Sequence, residues 1–160
     1  MIRTATDADW PQIWPVFRGI VAAGETYAYP EDLTAESARS YWMAEPPGTT
    51  VVAVDAERVL GTASIGTNRP GRGAHVSTAS FMVDPAAYGQ GVGRALGEHA
   101  IRWAREQGYL SMQFNAVVET NAPAVHLWQA LGFEIIGTVP EAFNHRVHGL
   151  VGLHVMYRRL

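Results

Sequence analysis

Phe81-Met82-Val83-Asp84-Pro85-Ala86-Ala87-Tyr88-Gly89-Gln90-Gly91-Val92-Gly93-Arg94-Ala95-Leu96-Gly97 is the stretch on which the reading of this chain turns. An apolar run ends at Val83, Asp84-Pro85 marks a turn, and alternating glycines open an amphipathic segment. Glycine lets backbone N–H groups come close to an anion, and a helix start adds the positive end of its dipole. Both features suit a pyrophosphate. A Walker loop requires Gly-Lys-Ser/Thr, which Arg94-Ala95 does not satisfy. A dinucleotide fingerprint beginning at Gly89 requires Gly or Ala where Arg94 stands, and it belongs early in a βαβ unit rather than past mid-chain. Glycines that bind nothing would each cost a helix start of order 0.5–1 kcal/mol relative to Ala.

Outward from this stretch the elements alternate. Ile2 to Ala5 reads as a short strand. Asp7 or Asp9 caps a helix whose Trp10, Ile13, Trp14, Phe17, Ile20 and Val21 recur at three- and four-residue spacing. Pro11 fits its first turn, Pro15 is a candidate kink, and Gly24 ends it. Thr34 starts a second helix with Ala38, Tyr41 and Trp42 inward. Thr50–Val54, Leu60–Ile65 and Val76–Val83 are β-rich, with Asn68 to Gly73 as a hairpin connection. After the glycines, Val92, Leu96, His99, Ala100 and Trp103 line one face of a helix that Gly108 stops. Leu110–Val118 is a strand. Asn121 then caps a short helix with Ala124, Leu127, Trp128 and Leu131 inward and Gly132 as its stop. Phe133–Val139 and Leu150–Tyr157 are final strands around a long 140–149 loop. The expectation is one mixed α/β domain over residues 1–160, with helices on both faces of one sheet.

Composition narrows the chemistry. The chain has 160 residues, 48% apolar and 17% charged, enough for a packed core. Cys is absent, which excludes disulfides, zinc-thiolate sites and thiol nucleophiles. All 12 cationic side chains are Arg, so lysine chemistry is excluded. Net charge is −3 and no basic run exists, which argues against nucleic acid. The N-terminus lacks a signal-peptide pattern and no apolar run approaches a membrane span, so a soluble, cytoplasmic domain is expected. His145-x-x-His148 reads as a loop pair rather than half a metal site, since no Cys or clustered carboxylate stands beside it. No metal is expected.

Gly89-x-Gly91-x-Gly93-Arg94-Ala95-Leu96, after a Val-Asp-Pro strand end, resembles the pyrophosphate loop of the GNAT superfamily of acyl-CoA N-acyltransferases. A second block resembles that superfamily's later signature: Asn121-Ala122-Pro123-Ala124-Val125-His126-Leu127-Trp128-Gln129-Ala130-Leu131-Gly132-Phe133. Gly24-Glu25-Thr26-Tyr27, Phe114-Asn115-Ala116-Val117-Val118-Glu119-Thr120-Asn121, Leu127-Trp128 and Ile136-Gly137-Thr138-Val139-Pro140 look like one subgroup. It includes the fungal N-acetyltransferase that acts on azetidine-2-carboxylate, a proline analogue. The resemblance implies a mostly antiparallel sheet splayed between its central strands. It implies acetyl-CoA as co-substrate, held by Met82, Val83, Tyr88, Gly89, Gln90, Gly91, Val92, Gly93, Arg94, Asn121 and Trp128. Asn115 and Asn121 match subgroup positions that contact substrate and cofactor, whereas a further subgroup Asn appears as Thr78. The loop motif usually begins with Gln or Arg; here Tyr88 stands there. The family commonly has a Tyr acid where this chain has Trp128, and an indole N–H donates a hydrogen bond but is not a usable acid.

The chemistry so implied is direct acetyl transfer to the amine of a small molecule, an amino or imino acid among the candidates. A backbone N–H near Met82 is expected to stabilise the oxyanion. Glu25 and His75 are candidate bases, with Asn115 orienting substrate or water. Glu25, Thr26, Tyr27, Thr78 and Asn115 are expected at the acceptor. The thiolate, with a pKa near 8.5 by the cysteine reference, can leave with hydrogen-bond support alone. The alternatives are acetylation of a protein N-terminus or lysine, and a non-catalytic acyl-CoA-binding module. A homodimer through the final strands is expected.

Overall fold

The computed structural model describes residues 1–160. Its elements run β1 (Ile2–Thr4), α1 (Trp10–Ala23), α2 (Ala35–Trp42), β2 (Thr49–Asp55), β3 (Arg58–Thr67), β4 (Val76–Val83), α3 (Val92–Glu106), β5 (Ser111–Val118), α4 (Ala122–Ala130), β6 (Glu134–His145) and β7 (Gly149–Arg159). Seven strands form one sheet in the order β1-β2-β3-β4-β5-β7-β6. All neighbours are antiparallel except β4 and β5. α3 and α4 cover one face, where Leu96, Ala100 and Trp128 meet Ala63, Ile65 and Met112. α1 and α2 cover the other, where Ile13, Phe17 and Trp42 meet Val52, Val59 and Met82.

The local signals place the helices well. Thr34 caps α2 by accepting from the Ser37 N–H, and Gly24, at φ 66°, ends α1. α1 runs on through Pro15. Three details differ from the sequence reading. Tyr41 points outward, 53% exposed, because the eight-residue α2 buries only its Ala38–Trp42 stripe. The buried stripe of α3 is Leu96, Gly97, Ala100, Ile101 and Ala104, which leaves His99 and Trp103 half-buried at its border. Finally, 140–145 is strand rather than loop. Pro140 lies in β6, an edge strand, where a missing N–H is tolerated. The β6–β7 pairing is irregular between Val139 and Phe143, and its turn is only 146–148. His145 Nδ1 accepts from the N–H groups of Val147 and His148, both at 3.1 Å, so this histidine caps the turn.

The parallel pair makes the site. β4 and β5 are in register only at Val76↔Ser111 and Ser77↔Met112. The buried Ser77 hydroxyl donates to Ser111 O at 2.9 Å and pins this closed end. Beyond it the strands part around an aromatic wedge. Trp128 from α4 stands 4.7 Å from Phe81 and 4.9 Å from Phe114, ring centre to ring centre. Gly97 lets α4 come this close to α3, since a Cβ there would lie 2.7 Å from Leu131 Cδ1 and 2.9 Å from Trp128 Cζ3. Gly97→Val should therefore overpack the wedge and cost about 1–3 kcal/mol, read as a lower melting temperature.

A charged anchor sits far from the wedge. Arg3 donates to both oxygens of the buried Asp9 carboxylate at 2.7 and 2.8 Å, and the Thr6 N–H adds a bond at 2.8 Å. The Arg3 bonds outweigh the cost of burial and bring the Asp9 carboxyl down to about 2. An unfolded Asp titrates near 3.9, so the folded state binds this proton less readily. The stabilisation is present above about pH 4 and is lost as pH falls through about 2. Asp9→Asn should flatten the acid limb of stability against pH, measured by denaturant unfolding between pH 2 and pH 6.

Candidate active site

The free edge of β4 comes first. The Asp84 N–H donates to Leu60 O of β3 at 2.8 Å. A strand's polar groups alternate sides, so the Met82 N–H also points to β3, where Met82 pairs with Thr62. Phe81 and Val83 turn their N–H groups into the gap. The expected oxyanion donor near Met82 is thus a neighbour of it: Met82 itself is spent in the ladder and its side chain is core, 1% exposed. At Phe81 the gap-facing groups are met by Tyr27 from the α1–α2 loop. The Tyr27 hydroxyl accepts from the Phe81 N–H at 2.8 Å and donates to the Phe81 carbonyl at 2.6 Å. Burial pushes the Tyr27 phenol well above its ordinary value.

The glycine loop follows. Asp84 accepts from the Ala86 N–H at 3.0 Å and pairs with Arg58 at 2.8 Å, which holds its carboxyl below the usual range and shapes the turn. Gly89 and Gly91 both stand at φ 78°, a left-handed conformation that glycine alone adopts freely. A Cβ on either would meet nothing within 4 Å, so both face open space. Gly91 caps α3 without a side chain, and the first helical bond runs from Ala95 N–H to Gly91 O. The N–H groups of Val92, Gly93 and Arg94 have no acceptor within the chain. The donors at the start of α3 are unspent, the surroundings of Gly89 and Gly91 are open, and the helix dipole points at the same place. These residues fit a pyrophosphate. The exposed Tyr88 phenol is raised by partial burial, then by the charges of Asp84 and Glu25. Arg94 pairs with Glu98 at 2.9 Å one turn on.

On the far side of the gap, β5 bulges between Phe114 and Val117 and frees Asn115 from the ladder with β7. Asn115 accepts from Gln113 Nε2 at 2.9 Å and donates to Asn68 Oδ1 at 2.6 Å. Carrying the Val76↔Ser111 register forward puts Ser80 opposite Asn115 across the opening. Thr78 and Ser80 line a cleft of about 300 Å³ together with Tyr29, Tyr41, Ser64 and Thr67. Asn121 caps α4 by accepting from the Ala124 N–H at 3.4 Å. Trp128 is 7% exposed and belongs to the wedge.

His75 lies in the turn just before β4, six residues and about 20 Å from Phe81 at roughly 3.3 Å per strand residue, and three residues before Thr78. Glu25 is exposed in the α1–α2 loop, with half-buried Thr26 next to it. Sequence reasoning missed Tyr29, Ser80 and Asn68. The Tyr27-x-Tyr29 alternation was a usable signal for the first; Asn68 is joined to Asn115 only by the fold. No group of three His, Asp or Glu side chains is placed to hold a metal ion. No helix is long and apolar enough to cross a membrane.

Fold and site together define a mixed α/β protein whose sheet opens between two parallel strands, beside a helix start with free N–H groups. The profile of the Acetyltransferase (GNAT) family matches residues 12–133, and the chain belongs to that family. A structure described as a GCN5-related N-acetyltransferase from Kribbella flavida is 62% identical, with a TM-score of 0.97 over 100% of this chain and 97% of that one. The L-methionine sulfoximine/L-methionine sulfone acetyltransferase of Pseudomonas aeruginosa is 36% identical over 146 residues, 88% of this chain and 83% of that protein. N-acetyltransferase aca1 of Schizosaccharomyces pombe is 33% identical over 90 residues, 56% of this chain. The chain spans 43% of aca1 and 11% of a further yeast relative, less than half the length of either.

Proposed function

We propose that the chain is a single acetyltransferase domain that transfers an acetyl group from acetyl-CoA to the amine of a small molecule, an amino or imino acid. The observation that carries this is one continuous track: unspent N–H groups at the start of α3, leading to the open edge of β4 at Val83 and Phe81. Bound acetyl-CoA supplies the acetyl group as an activated thioester. Gly89, Gln90, Gly91, Val92, Gly93 and Arg94 hold the pyrophosphate through backbone N–H groups, with Tyr88 at the rim. The gap-facing peptide groups of β4 align the chain that follows it. Trp128, Phe81 and Phe114 give the reacting end an apolar wall that excludes water.

The acceptor enters from the α1–α2 side, where Thr78, Ser80 and Asn115 offer hydrogen bonds. The relative that acts on methionine sulfoximine, itself an amino-acid analogue, supports a small acceptor of this size. Neither Trp128 nor Tyr27 serves as an acid: an indole N–H is far too weak an acid to release its proton, and burial holds the Tyr27 proton tightly. The thiolate leaves with hydrogen-bond support. Water accepts the amine's proton, with Glu25 and His75 the candidate bases that relay it. The test is thiol release from acetyl-CoA over amino acids, cyclic imino acids and aminoglycoside amines. Turnover with an amino or imino acid is expected; silence across the screen, with no CoA binding, would overturn the reading.

A homodimer that closes the acceptor site belongs to the same proposal. β6 is an edge strand whose Ile136 and Val139 are 63% and 53% exposed, and Val147 and Leu150 extend the patch at 71% and 60%. Sedimentation at micromolar concentration should show a dimer, and a monomer would count against it. A cytoplasmic location, where acetyl-CoA is made available, completes the proposal.

A further inference from the structure

We propose that the Tyr27 hydroxyl is a placeholder for the acyl carbonyl, so that acetyl-CoA, but not CoA, must displace it from Phe81. The inference rests on the acetyl-CoA reading above. Where β4 parts from β5, its edge N–H and C=O groups lose strand partners, and unmet buried peptide groups are costly. One side-chain atom meets both groups of Phe81: Tyr27 Oη accepts from the N–H at 2.8 Å and donates to the carbonyl at 2.6 Å. The ring is held in place by Tyr29, stacked at 5.7 Å, and by the edge of Trp42 at 6.4 Å.

The Phe81 N–H opens into the gap beside the aromatic wedge, where the reacting end of the ligand belongs. One N–H makes one well-aligned hydrogen bond. A thioester carbonyl that takes this donor therefore takes the place of the phenol oxygen. CoA ends in a thiol there and has no oxygen to offer, so it leaves Tyr27 where it stands. The loop that carries Tyr27 is tied at both ends to the β6–β7 turn. The Arg146 N–H donates to Gly24 O at 2.9 Å, and the Arg146 side chain pairs with Glu31 at 2.5 Å. Displacement is thus a movement of the ring within a fixed loop.

Calorimetric titration of wild type and Tyr27→Phe with CoA and with acetyl-CoA, in the absence of an acceptor, tests this. Phe keeps the ring and removes the competing oxygen. Acetyl-CoA should bind the variant about fivefold more tightly, the equivalent of one net hydrogen bond of about 1 kcal/mol, with CoA unchanged. A wild-type readout does not depend on the variant's folding. The Tyr27 13Cζ and Phe81 amide resonances should move further on adding acetyl-CoA than on adding CoA. Equal responses to the two ligands, or weaker acetyl-CoA binding by the variant, would overturn the placeholder role and leave the acetyl-CoA reading standing. If wild type binds neither ligand, that reading itself falls.

Discussion

Gly91→Asp should reduce affinity for acetyl-CoA and CoA by about 10³-fold. Two effects act in the same direction. Gly91 stands at φ 78°, and its missing side chain faces open space in front of the free N–H groups of α3. A carboxylate built there would accept those N–H groups itself. It would also stand close to the pyrophosphate. Two like charges about 4 Å apart repel by on the order of 4 kcal/mol at an effective dielectric near 20, which alone accounts for about 10³. Gly91→Ala separates charge from backbone strain. It carries the same left-handed penalty, about 1 kcal/mol, and no charge, so binding should fall by about tenfold or less. Calorimetry on all three proteins, with melting temperatures as folding controls, decides. Wild-type affinity in Gly91→Asp would show that the pyrophosphate lies elsewhere.

Asn115→Ala should lower kcat by about 10²-fold, the scale of a single preorganised donor, while Trp128→Phe should mainly raise KM for acetyl-CoA. Asn115 stands in a bulge on the open side of the gap, and its amide is oriented by Gln113 and Asn68. Alanine leaves the strand intact and removes the amide proposed to hold the amine. Trp128 contributes surface. Its ring touches Phe81, Phe114 and Phe133, and Phe keeps most of that packing. Steady-state kinetics with a verified acceptor separates the two. A loss of kcat by orders of magnitude in Trp128→Phe, with Asn115→Ala near wild type, would require a different mechanism.

Local codes were legible in the chain. Thr34 and Asn121 cap their helices and Gly24 ends α1, because capping depends on residues within a turn of one another. The glycine loop was legible for the same reason: a left-handed backbone at Gly89 and Gly91 is a property of those residues and their immediate neighbours. Strand lengths were less so. Pro140 and Gly149 read as loop, yet β6 continues to His145, because an edge strand has a free side on which a missing N–H costs nothing. Which groups meet at the gap was decided by tertiary structure alone. Tyr27 reaches Phe81 across 54 positions and Asn115 reaches Asn68 across 47. His75 stands in the turn before β4, six residues from Phe81. Alternation along β4 assigned the free N–H to Phe81 rather than Met82, and only the pairing with β3 fixes that parity. Such choices depend on register and on where two strands part. Side-chain packing of the whole wedge sets both, and no short stretch of sequence contains it.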